Sequence, residues 1–320
     1  MENIREFMDE LSGEIARMLP EDLTKDLSID PVTVTKMNDQ ILYGLSFKHQ
    51  EGDAAPTIYV NEEYESHRKG KPLETISSQI AVLYMDTMLV RGETVPRDLS
   101  LDNENNELTI RIVELKRNHS YLSGIPYVSI GNGLAAVCDV KAKESDEGYW
   151  RTTITRKGME ENCYDKEKVF ARAFENAPKT DPPTLITMEC QMFGIDGTDY
   201  LKSGPISDRD KVPMYVLSNE SGMLGAAALF YPGVQEKIAE NLGENYYALP
   251  SSVHEFIIVP ESLAPDAIHL AEMVRTANKT VVDPSEVLSD NVLFYDRKEK
   301  QLGTAVQTIT LSEKHREARC

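Results

Sequence analysis

The chain has 320 residues, 41% of them hydrophobic and 27% charged, a composition far from that of disordered chains and a length sufficient for two ordinary domains. Its 53 acidic and 34 basic residues leave a formal charge of −19, which repels nucleic-acid phosphates and anionic membrane surfaces. Direct nucleic-acid binding and membrane association are therefore not expected, whereas the same charge suits either ordinary solubility or attraction of a basic protein partner.

Ile4, Phe7, Met8, Leu11, Ile15 and Met18 recur at steps of three and four, predicting an amphipathic helix over residues 3–19 that ends at Pro20. Its polar face is acidic: residues 1–30 hold nine Asp/Glu against three Lys/Arg. The period then falls to two. Val32, Val34, Ile41, Tyr43, Leu45 and Phe47 alternate with polar residues around Asn38-Asp39, predicting a hairpin. A short strand is expected at 57–60, then helices at 62–69 and 73–90, with Pro72 in the first turn of the second.

Residues 91–107 are polar and read as loop, and 108–117 fits both strand and helix spacing and is read as helix. Strands are expected at 127–130, 134–140 and 149–155, followed by helices at 166–177 and 185–193. Gly, Pro and Asp without apolar periodicity mark 194–212 as a linker. Beyond it the spacing predicts strands at 214–217 and 223–230, a helix at 234–242 closed by Gly243, strands at 246–249 and 255–259, and a helix from Pro265 to Val274. Edge strands at 292–295 and 305–311 precede a tail at 312–320. The whole reads as α+β: two modules of mainly antiparallel sheet with packed helices, at 1–193 (divisible into 1–90 and 91–193) and 213–311.

Cys138, Cys163, Cys190 and Cys320 lie far apart with no CxxC pair and read as reduced thiols. The segment Met1-Glu2-Asn3-Ile4-Arg5-Glu6 lacks the basic start and apolar stretch of a signal peptide, and no run of about 18 apolar residues occurs, so a cytoplasmic location is expected.

Catalytic signals are sparse. Gly131-Asn132-Gly133-Leu134-Ala135-Ala136 matches the loose dinucleotide pattern GxGxxA, but the residues after it read as a strand where pyrophosphate binding needs a helix, so a hairpin turn is expected. Ser252, His254 and Glu255, in Pro250-Ser251-Ser252-Val253-His254-Glu255, have the residue types of nucleophilic catalysis and are the candidate catalytic residues, although nothing resembles a GxSxG elbow. The six histidines, His49, His67, His119, His254, His269 and His315, form no HExxH motif. Asp196, Asp199, Asp208 and Asp210 lack EF-hand spacing, and there is no phosphate-binding GxxxxGK[ST] loop. No cofactor or metal is expected. Trp150 is a candidate interface anchor whose commoner use is core packing.

Several stretches carry a family resemblance: Thr153-Ile154-Thr155, Met214 to Asn219, Gly225 to Pro232, Leu249-Pro250-Ser251-Ser252-Val253-His254-Glu255, Val287 to Asp290, and Phe294-Tyr295-Asp296. They resemble an uncharacterised bacterial family common in gut anaerobes and, more distantly, are similar to the YtpQ-like family. The resemblance implies a cytoplasmic bacterial α+β protein and transfers no catalytic residue. The functional expectation is a noncatalytic acidic binding or regulatory protein that docks a basic protein, such as a nucleic-acid enzyme or toxin that it restrains. The alternative is a hydrolase or small-ligand enzyme using Ser252, His254 and Glu255.

Overall fold

The computed structural model describes residues 3–49, 56–91, 106–145 and 148–305. The chain divides into two compact units, one of residues 1–99 with 143–150 and one of 100–142 with 151–320.

In the first unit, α1 (Ile4–Met18) starts at a capping box: Asn3 accepts from the Glu6 amide, and the Glu6 carboxylate accepts from the Asn3 amide. A short α2 (Glu21–Thr24) leads to β1 (Leu27–Thr35), which pairs antiparallel with β2 (Ile41–His49) over nine residues. The connecting turn carries left-handed Asn38 and Asp39, residue types that tolerate that conformation. Next come β3 (Thr57–Tyr59), α3 (Asn61–Arg68) and α4 (Leu73–Arg91). The core joins Phe7, Leu11 and Ile15 of α1 to Leu45 and Phe47 of β2 and to Ile76, Ile80 and Tyr84 of α4, so the apolar stripe and the alternating strand face meet each other. The Phe47 and Tyr84 rings stack with centroids 4.3 Å apart.

A sheet of β4 (Asn106–Glu114), β5 (Tyr127–Gly131), β6 (Leu134–Ser145) and β7 (Gly148–Thr153) is arranged β4-β6-β5 with β7 also on β6, and it belongs to the second unit apart from residues 143–150. Residues 108–114 are thus strand, not helix. Leu108, Ile110 and Ile112 are buried on one face and Thr109 and Val113 on the other; Leu115, just past the strand, supplies a competing helix-like spacing with Leu108 and Ile112.

After α5 (Arg156–Glu161), α6 (Lys166–Thr180) packs on β4 and buries Val169, Phe170 and Ala173. The helix expected at 185–193 is instead β8 (Pro183–Thr187) followed by α7 (Met188–Phe193); Thr187 ends the strand and caps the helix by accepting from the Cys190 amide. The stretch 194–212 lies inside the second unit and contains α8 (Tyr200–Ser203). Its polar residues hold it to the framework: Asp199 accepts from the amides of Leu185 and Leu201, and the Ile206 amide donates to the Asn241 carbonyl.

The second sheet of this unit runs β13-β12-β10-β11-β9-β8, all antiparallel, with β9 (Tyr215–Asn219), β10 (Tyr246–Ser252), β11 (Glu255–Pro260), β12 (Leu293–Asp296) and β13 (Gln301–Thr304). The expected strand at 223–230 is a 3-10 helix, Gly225–Phe230, whose first five residues are buried. A short apolar run does not by itself distinguish strand from buried helix, and Gly-Ala-Ala-Ala is small enough to lie against β9, β11 and β4. Then α9 (Val234–Leu242) ends at left-handed Gly243, and α10 (Ala267–Thr280) lays Leu270, Ala271 and Val274 against Tyr247, Leu249 and Phe294. The expected edge strand at 305–311 falls largely outside the described residues, as do the 312–320 tail, most of the 91–107 loop and the side chain of Trp150. The protein is α+β with mainly antiparallel sheets, and no described helix is long and apolar enough to cross a membrane.

Candidate functional site

The β10–β11 turn holds the three candidate catalytic residues, each with a defined partner. The Ser252 hydroxyl accepts from the backbone N–H of His254 at 3.0 Å, which makes it a turn-forming group. Glu255 accepts from Ser251, not Ser252, at 3.0 Å. The imidazole Nδ1 of His254 accepts from the backbone N–H of Leu224 at 3.0 Å, and Nε2 lies 3.4 Å from a Glu286 carboxylate oxygen. Because a backbone N–H can only donate, Nδ1 is unprotonated and the neutral ring carries its proton on Nε2, facing Glu286. The imidazole is 22% exposed and spans two backbone segments. The structure brings the three residues into one turn without a serine–imidazole or imidazole–Glu255 bond.

Around this turn the backbones are unusually close. The His254 carbonyl accepts from Ser218 at 2.8 Å, and Leu224 adopts φ 55°, which a branched residue seldom does. A Cβ on Gly225 would meet Ser218 Oγ, the Asn219 nitrogen at 2.6 Å and the His254 carbonyl at 2.7 Å, so only glycine fits. The segment 218–225 and the 252–255 turn form one packed knot in which His254 supplies the acceptor for a partly buried amide.

A second polar centre was not legible as a motif. On β4, β6 and β7 the alternate residues Thr109, Arg111, Asp139, Lys141, Arg151 and Thr153 converge. Asp139 accepts from Thr153 at 2.7 Å and Arg111 at 3.1 Å, with Arg151 3.7 Å from its other oxygen. Asp181 accepts from Lys141 at 2.8 Å, Arg151 at 2.9 Å and Thr109 at 3.0 Å. Both carboxylates are buried, and three cations face them. Burial, aided by the Asp181 charge, pushes the neighbouring Tyr231 phenol well above its ordinary range and keeps it neutral. Charged residues at period two inside apolar strands were the available signal. Arg111 also donates to the Tyr121 hydroxyl at 2.9 Å, and the arrangement acts as an ionic clamp within the unit.

The Gly131-Asn132-Gly133 stretch turns the β5–β6 hairpin through three consecutive left-handed residues, and Asn132 donates to the Leu302 carbonyl at 3.3 Å. A strand follows the glycines, so no helix N-terminus is present to hold pyrophosphate. Asp199 caps α8 and Asp208 pairs with Lys211 at 2.8 Å, which disperses the linker aspartates. Among the described residues no group of three or more His, Cys, Asp or Glu is placed to hold a metal ion. Cys138, Cys163 and Cys190 are free thiols.

In the first unit an open hollow of about 370 Å³ is lined by Asp26, Leu27, Ser28, Asp30, Lys48 and His49. Ser28 donates to Asp30 at 3.0 Å, and the His49 ring meets the buried Tyr84 hydroxyl at 2.8 Å. Its two carboxylates at the start of β1 give it the chemistry to receive a cationic side chain.

Residues 4–297 match the model of a family of unknown function, DUF5688. No curated protein and no solved structure matches the chain.

Proposed function

The chain belongs to the DUF5688 family, whose function is unknown, and from that premise we propose that it is a noncatalytic acidic binding protein that docks a protein partner with a basic surface. The observation that carries this reading is the distribution of the −19 charge: in the first unit Glu6, Asp9, Glu10, Asp22, Asp26 and Asp30 are all exposed. Exposed like charges steer an oppositely charged partner and raise its association rate. The hollow between Asp26 and Asp30 adds a place for one of that partner's cationic side chains. Proteins that bind nucleic acid carry basic surfaces, so a nucleic-acid enzyme or toxin held in check is the partner class that fits. The reading includes a bacterial, cytoplasmic setting and a distant relation to the YtpQ-like family, both resting on the sequence stretches around Leu249 to Glu255. The alternative of a hydrolase at Ser252, His254 and Glu255 has less support, since the Nδ1 a general base would use accepts from Leu224.

The test is partner retention by the tagged protein as salt rises from about 0.1 M to about 1 M, which shortens the screening length from about 10 Å to about 3 Å. Release within that range, and loss of retention when Asp9, Glu10, Asp22 and Asp26 are changed to Lys, supports the proposal. Retention unchanged by salt or by the four substitutions overturns it.

A further inference from the structure

Three large apolar side chains stand in solvent at the end of α7: Met192 is 71% exposed, Phe193 68% and Ile195 55%. They are held together by the helix terminus. Gly194 adopts φ 59°, and the Ile195 amide donates back to the Cys190 carbonyl at 3.2 Å, folding Ile195 against the last turn. Single exposed apolar residues are ordinary, but three within four positions form a patch of the kind that marks a protein-binding surface.

The electrostatic setting of this patch identifies what it receives. Residues 180–201 contain no Lys or Arg. The cations that bound this stretch are engaged, Lys179 with Glu175 and Lys202 with Asp199 and Glu220. Glu189 and Asp196, exposed on either side of the apolar residues, have no ion-pair partner among the described residues. A second copy of this chain would bring another −19 and the same two carboxylates to the contact, which opposes self-association.

We infer that Met192, Phe193 and Ile195, flanked by Glu189 and Asp196, form a docking surface for an amphipathic basic segment of a partner protein, with apolar anchors on the three side chains and Lys or Arg on the two carboxylates. This rests on the basic-partner reading and locates the apolar part of that contact. The anchors supply desolvated area, whereas the exposed acids supply orientation and rate.

The test uses the full chain and a fluorescent amphipathic Lys/Leu peptide of about 18 residues, long enough for several helical turns, with a Glu/Leu peptide as control. The inference predicts that the Lys/Leu peptide binds in a salt-sensitive manner and the Glu/Leu peptide does not. Met192→Ser with Phe193→Ser should weaken Lys/Leu binding about tenfold or more, as loss of two anchors does. Ile268→Ser with Met273→Ser, exposed apolar residues on α10, should leave it unchanged. All four positions are exposed, and an unchanged unfolding midpoint verifies that each variant folds. If the wild-type chain binds the basic peptide and the Met192/Phe193 variant binds it equally, the docking surface is wrong while the basic-partner reading stands. If the wild-type chain shows no salt-sensitive binding, both fail. If sedimentation finds a dimer that the Met192/Phe193 variant dissociates, the occupant is a second copy and the inference is overturned.

Discussion

The backbone N–H of Leu224 donates to Nδ1 of His254 across 3.0 Å, joining residues thirty positions apart and fixing the imidazole as a structural acceptor. The residue that looked most like a catalytic base in sequence thereby satisfies an amide beside a strained φ of 55°. His254→Ala leaves that partly buried N–H without its acceptor and should lower stability by about 1 kcal/mol, the lower end of the cost of an unsatisfied donor. Urea unfolding measures this, and hydrogen exchange at the Leu224 amide should accelerate in the variant.

Gly225→Ala tests the same knot from the other side. The added methyl meets Ser218 Oγ, the Asn219 nitrogen and the His254 carbonyl, two of which are backbone atoms with little room to move. The expected cost is about 3 kcal/mol, at the upper end of ordinary overpacking. It appears as a lower urea midpoint with an unchanged slope.

Asp139→Ala breaks the ionic clamp on one side: it takes from the largely buried Arg111 its carboxylate partner and leaves Arg151 with Asp181 alone. Removing one partner of a buried pair costs about 3–5 kcal/mol, so this variant should be among the least stable single substitutions in the second unit. By contrast, Lys157→Ala removes only an exposed pair with Glu161 and should change stability by less than about 1 kcal/mol.

Acid should weaken the second unit partly through Glu244. Burial alone would raise its carboxyl, but bonds from Lys211 and from the Ser262 amide and hydroxyl outweigh that and hold it below its usual range. A carboxyl lowered by folding contributes stability above its unfolded value, and that contribution is lost as pH falls through its folded value. The thermal midpoint should therefore drop on acidification, and Glu244→Gln should make the acid limb shallower while lowering the midpoint at neutral pH.

Thiol reactivity should follow burial. Burial, reinforced by the neighbouring Asp139 charge, pushes the Cys138 thiol far up and keeps it protonated, whereas Cys163 is exposed. A thiol reagent with peptide mapping should label Cys163 in the folded protein and Cys138 only after unfolding.

How much of this was legible follows from what each signal measures. Period and caps were reliable where one face was buried: α1, the β1–β2 hairpin and α9 with Gly243 lie within a few residues of their expected spans. They misled where two spacings competed: at β4 the alternation of Leu108, Ile110 and Ile112 was offset by the helix-like spacing of Leu108, Ile112 and Leu115, and at Gly225–Phe230 a short buried apolar run fitted strand and helix alike. The linker reading of 194–212 came from composition, which does not register that Asp199 spends its carboxylate on the amides of Leu185 and Leu201. The role of His254 was invisible for a related reason. Its partner, Leu224, is apolar in sequence and contributes only a backbone N–H.

Docking of a basic partner is read by a pull-down of the tagged protein from host lysate, eluted with rising salt and run beside the variant with Asp9, Glu10, Asp22 and Asp26 changed to Lys. The wild type should retain one basic protein that moderate salt releases and that the variant fails to hold. A retained partner that is not basic, one indifferent to both salt and charge reversal, or recovery of nothing above background would overturn a basic-partner role.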